Sequence, residues 1–129
     1  MASISSIRSA LQTAIEAMPL RCYDFFPSNL NVPCAIVGMP TEYLPNDSFS
    51  DTARMVIPVS IYVGYGSNRA AEDALESYLA TSGTGSVILA IENISTGYTV
   101  RSVRDFGLVE NANGQSIALG CVIEVDVLA

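Results

Sequence analysis

The chain contains no histidine, no lysine and no tryptophan, and the first two absences each remove a class of chemistry. Without histidine there is no Ser-His-Asp triad, no Cys-His dyad and no imidazole-bound metal. Without lysine there is no P-loop, no Schiff base and no polybasic membrane tail. The basic residues number 6, all arginine, against 13 acidic ones, for a formal net charge of −7. Nucleic-acid clamps need clustered cations, and these arginines are scattered. Composition therefore points away from enzymes, and no catalytic, metal-binding or cofactor-binding residue is nominated.

Cysteine is scarce as well. Cys22, Cys34 and Cys121 are an odd number with no CxxC pair, unlike a secreted disulfide scaffold. Each lies near apolar residues, so buried free thiols are expected. Cys22 stands beside Arg21, the kind of neighbour that can activate a thiol. Long apolar runs are missing too. The longest, such as Val87–Ile91, fall far short of the roughly 20 residues a membrane span requires. The stretch Met1–Arg8 lacks the cationic start and apolar core of a signal peptide. The expectation is a soluble protein made in a reducing cytoplasm, with no membrane partner.

What is present suffices for one globular domain over residues 1–129. Half the residues are apolar and 15% are charged, and a chain of this length buries one real core. Ile4, Ile7, Leu11, Ile15 and Met18 recur every three or four residues, which predicts a helix from about Ser3 to Met18, closed by Pro19. Its other face, with Ser5, Arg8, Gln12 and Glu16, reads as solvated surface. Cys22-Tyr23 predicts a short strand, and Cys34–Met39 a buried one that Pro40 interrupts, with Thr41–Leu44 as its continuation. Arg54–Tyr65 is the clearest strand. Met55, Ile57, Val59, Ile61 and Val63 alternate onto one face, while Pro58 implies an edge position or a bulge.

Ser67 or Asn68 then caps a helix with Ala71, Ala74, Leu75, Tyr78 and Leu79 inward, and with Arg69 and Asp73 paired outside. Val87–Asn93, capped by Ser86, fits either a helix or a strand. Tyr98–Arg104 is β-rich. Phe106–Glu110, a tight turn at Asn113-Gly114 and a final strand predict a hairpin. In that last strand Ile117, Leu119, Cys121, Ile123, Val125 and Val127 line one face, and Ala118, Gly120, Glu124 and Asp126 the other. The fold expected is α+β: a mostly antiparallel sheet of about four to six strands, helices packed on one face, in the order α-β-β-β-α-α-β-β.

Two features hold the remaining candidates. Gly64-Tyr65-Gly66-Ser67-Asn68-Arg69 lacks the third glycine of a dinucleotide fingerprint and reads as a strand-to-helix turn. Glu124 and Asp126 project from one strand face, roughly 7 Å apart by the strand rise. That spacing suits acid–base work or a cation, but no companion group is near in sequence, which favours a surface or interface role.

Several segments together resemble the tail terminator proteins of long-tailed bacteriophages with non-contractile tails, especially those of actinobacterial hosts. One is Cys22-Tyr23-Asp24 through Pro27, Asn31 and Pro33 to Cys34–Pro40. Others are Ile57-Pro58-Val59 to Val63-Gly64, the run Ser67–Leu79, and Ser82–Glu92, which favours helix for its last part. The likeness lies in their order and spacing over most of the chain.

The resemblance implies a structural virion protein at the head-proximal end of the tail, assembled in the host cytoplasm. Such proteins form hexameric rings that cap the tail tube, end its polymerisation and meet the head–tail connector. DNA passes through the ring without specific binding. On that reading the loop Asn46–Arg54 is the expected contact with the tube, through Asp47, Phe49, Asp51 and Arg54. Glu124 and Asp126 become candidate acids lining the DNA path, where repulsion would keep the duplex from sticking. A head-completion or tail-completion connector of the same junction is the nearest alternative, and a cytoplasmic α+β ligand-binding module the next.

Overall fold

The computed structural model describes residues 4–18, 20–24, 33–44, 54–64, 68–80, 85–110 and 116–128. Its elements run α1 (Ile4–Glu16), β1 (Arg21–Tyr23), β2 (Cys34–Val37), β3 (Glu42–Leu44), β4 (Arg54–Gly64), α2 (Asn68–Tyr78), α3 (Val87–Glu92), β5 (Tyr98–Glu110) and β6 (Ser116–Leu128). The six strands form one sheet in the order β1-β2-β4-β6-β5, and β3 also pairs with β4. The fold is α+β with a mostly antiparallel sheet. It has one strand more than the expected order, because the segment expected to continue past Pro40 divides into β2 and β3. The β1–β2 pair is parallel, an exception to the expected antiparallel rule. The turn-rich stretch 24–33 is long enough for that crossover, whereas a tight turn would have forced a hairpin.

The centre of the sheet is the β4–β6 pair. Its register runs unbroken from Arg54↔Leu128 to Gly64↔Ala118. Met55, Ile57, Val59, Ile61 and Val63 are buried on one face beside Cys121, Ile123, Val125 and Val127, as their alternation predicts. Pro58 does not mark an edge, contrary to expectation, since β4 has neighbours on both sides. The Gly38 N–H donates to the Pro58 carbonyl at 2.9 Å, and the Thr41 N–H to the Val56 carbonyl at 2.9 Å. The proline ring nitrogen therefore faces the gap between β2 and β3, where no ladder bond is lost.

All three helices lie on the face made by those odd-numbered residues. Ile7, Leu11 and Ile15 of α1, Ala71 and Leu75 of α2, and Val87 and Ile91 of α3 share one core with them. Strands β4 and β5 run in the same direction with β6 between them, so α2 and α3 bridge a split β-α-β unit. Helix, not strand, is the outcome at Val87–Glu92. Ser86 sits at the N-cap in extended geometry, and its Oγ accepts from the Leu89 N–H at 3.2 Å. The expected hairpin is the β5–β6 pair, with β5 at the sheet edge. Its tip at Asn113-Gly114, the Ser3 start of α1 and Pro19 lie outside the described residues. The Arg69–Asp73 pair expected on α2 is not among the ion pairs of the described residues.

The polar side of α1 is not simple surface, and here the sequence reading is corrected. Arg8 and Gln12 are half-buried. One Arg8 Nη donates to the carbonyls of Val37, at 3.0 Å, and of Asp24. Gln12 Nε2 donates to the Cys22 carbonyl at 3.1 Å. These bonds pin α1 to the parallel β1–β2 edge, which has only a three-residue ladder of its own.

Arg8→Ala should cost about 1–2 kcal/mol in urea unfolding, since charged donors to backbone carbonyls are lost; Arg69→Ala, on the exposed side of α2, should stay within about 0.5 kcal/mol. Glycine carries a second prediction. The Gly97 carbonyl accepts from the Leu128 N–H at 2.9 Å, and a Cβ at Gly97 would collide with the Leu128 carbonyl oxygen. A Cβ at Gly107 would meet nothing within 4 Å. Gly97→Ala should therefore destabilise by about 2–3 kcal/mol, and Gly107→Ala by less than about 0.5 kcal/mol, by the same measurement.

Candidate interaction surface

The sheet face opposite the helices carries the even-numbered residues of β4 and β6, and their neighbours on β5. Tyr62 lies over Gly120, where a Cβ would sit 2.6 Å from the ring. Further along come Arg54, Glu124 and Asp126, with Arg104 beside them on β5. Val56 sits opposite Asp126 in the register, which leaves Arg54 diagonal to that carboxylate. Their fork-to-fork pair has Nη2–Oδ2 at 2.8 Å and Nε–Oδ1 at 3.1 Å. Arg104 donates from Nε to Glu124 Oε1 and from Nη1 to Asp105 Oδ2. The hydrogen bond to Glu124, first among its causes, holds the Arg104 guanidinium above its ordinary pKa.

A β-bulge builds part of this cluster. The register of β5 shifts between Arg104 and Gly107, and Asp105 takes φ 59°, in the left-handed region. Aspartate tolerates that region better than most residues. The bulge turns Asp105 toward Arg104 and leaves Phe106 59% exposed. A second shift between Val100 and Ser102 makes Arg101 an extra, exposed residue.

Glu124 and Asp126, expected on one face of the last strand, lie there, both half-buried. Sequence reasoning did not give their partners. Each carboxylate is held by an arginine, and with Asp105 also on Arg104 the cluster sets three acids against two arginines. The pair is not a bare acidic patch. Arg54, expected in the partner-binding loop, joins Asp126, expected in the DNA path, so two separately nominated groups form one cluster. A cleft of about 220 Å³ opens beside it, lined by Thr96, Gly97 and Thr99 as well as Arg54 and Asp126. Asp47, Phe49 and Asp51 lie outside the described residues.

Among the described residues no group of three His, Cys, Asp or Glu side chains is arranged to hold a metal ion. No helix there is long and apolar enough to cross a membrane. No protein-family model matches the chain, and no curated protein is significantly similar to it.

The three cysteines are free and buried. Burial, together with Glu16 and Asp24, pushes the Cys22 thiol up to about 12. Burial pushes Cys121 to about 11 and raises Cys34 as well, against the opposing pull of Arg21. Cys22 is therefore the least activated of the three, and the expectation drawn from its neighbour Arg21 is corrected. In the parallel ladder Arg21 sits opposite Cys34 and acts on that thiol instead.

A neutral buried thiol with a raised pKa contributes stability at neutral pH. That contribution fades once the unfolded chain ionises its thiols. Stability should thus fall between pH 9 and about 12. An aromatic disulfide reagent at pH 8 should modify all three thiols in denaturant and none at a comparable rate in the folded chain. Rapid labelling of Cys22 in the folded chain would contradict this.

Proposed function

We propose that the chain is a structural virion protein: one subunit of a hexameric ring that caps a bacteriophage tail tube, ends its polymerisation and joins the tail to the head connector. The order and spacing of the segments around Cys22–Pro40, Ile57–Gly64 and Ser67–Glu92 suggest the family. The observation that carries the reading is the one-sided helix layer. With every described helix on one face, the sheet leaves Tyr62, Glu124 and Asp126 half-buried on the other, and β5 is a thirteen-residue edge strand. A ring is built by joining one patch of a subunit to a different patch of the next, and a sheet with two unlike edges supplies such patches.

In this reading the Arg54–Asp126 and Arg104–Glu124 ladder faces a neighbouring chain or the DNA path. The segment Asn46–Arg54 remains the proposed contact with the tube, through Asp47, Phe49, Asp51 and Arg54.

Particles assembled without this chain discriminate the virion roles. Electron microscopy should show over-long, irregular tails for a terminator. Tails of normal length lacking heads would instead mark a connector and overturn the terminator assignment.

A further inference from the structure

A groove of about 790 Å³ runs between the C-terminal half of α2 and the β5–β6 pair. Leu75, Leu79 and Leu119 make its floor, and Phe106, thrown outward by the bulge, makes one wall. Leu108, 48% exposed, extends the apolar strip along β5. The opposite rim carries Glu72 and Glu76, one helical turn apart and both exposed. No arginine among the described residues lines the groove, and the ion pairs of those residues do not involve either glutamate.

We propose that this groove binds an amphipathic helix of another protein, with apolar side chains on the Leu75–Leu79–Phe106 floor and Lys or Arg against Glu72 and Glu76. Helices recognised in grooves are read through apolar anchors at helical spacing, and the two carboxylates add a complementary charge at the same spacing. Among the described residues the groove is only partly enclosed, whereas small-molecule sites enclose most of their ligand. A second copy of this chain is a poor occupant. It has no lysine, a net charge of −7, and two of its six arginines tied up in the Asp126 and Glu124 pairs. The inference rests on the groove alone and is independent of the tail reading.

The absence of tryptophan makes the test direct. In a Phe106→Trp variant the sole indole reports whether the groove is filled. The probe is a synthetic amphipathic helix of Leu and Lys, with a Leu/Glu helix as its control. The expected result is a blue shift of the emission with the Leu/Lys helix and none with the Leu/Glu helix. The affinity should fall with added salt. Glu72→Gln with Glu76→Gln should weaken binding at least about fivefold at low salt, whereas Glu16→Gln with Glu42→Gln, of equal net charge, should not.

Equal weakening by both double variants would reduce the binding to net charge and overturn the proposal. So would an emission already blue in the free protein at every dilution, meaning that the chain fills its own groove. A blue shift that grows with protein concentration in the absence of peptide would assign the groove to a second copy instead.

Discussion

Everything in this chain is arranged around one unbroken antiparallel pairing, β4 against β6. Two long strands with period-two apolar patterns, far apart in sequence, present matching faces only in the register Arg54↔Leu128 to Gly64↔Ala118. A slip of β6 by one residue against β4 would send Ile123 and Val125 to the opposite face, away from Ile57 and Val59. The pairing tolerates Pro58 because the proline's backbone nitrogen points the other way, toward the break between β2 and β3. A residue that would disrupt an ordinary central strand is thus placed where the neighbouring strand is interrupted.

The same pairing decides where the helices go. The odd-numbered face of β4 and β6 is a continuous apolar floor, and each helix has one apolar stripe to bury on it. The even-numbered side is mixed: Arg54, Glu124 and Asp126 share it with Tyr62, Val122 and the buried Val56 and Ala118. Each of those carboxylates is paired with an arginine of the same chain. Exposed pairs of this kind contribute little to stability, about 0.2–1 kcal/mol for Arg54–Asp126.

Much of the fold is legible in the sequence because its signals are local. The stripe in α1, the alternation in β4 and β6, and the edge-to-centre hairpin are set by neighbours a few residues apart. What escapes is set at a distance. Arg8 reads as a surface residue until α1 lies across the carbonyls of Asp24 and Val37, 16 and 29 residues on. Asp126 reads as a bare acid until Arg54 arrives from 72 residues away. The adjacent Arg21 suggests an activated Cys22, but the parallel ladder aligns that arginine with Cys34. The α2 groove has no local signature at all, since its floor comes from α2 and β6 and its exposed wall from a bulge in β5.

The chain has no histidine or lysine, its thiols are buried, and its two strand carboxylates are held by arginines. We propose that copies of this chain close a ring on a tail tube. Light scattering on the purified chain, alone and mixed with polymerising tail tube protein, measures this most directly. The account predicts a discrete species of six copies, either in the chain alone or on addition of tube protein. A chain that stays monomeric under both conditions, with tube growth unaffected, would contradict it.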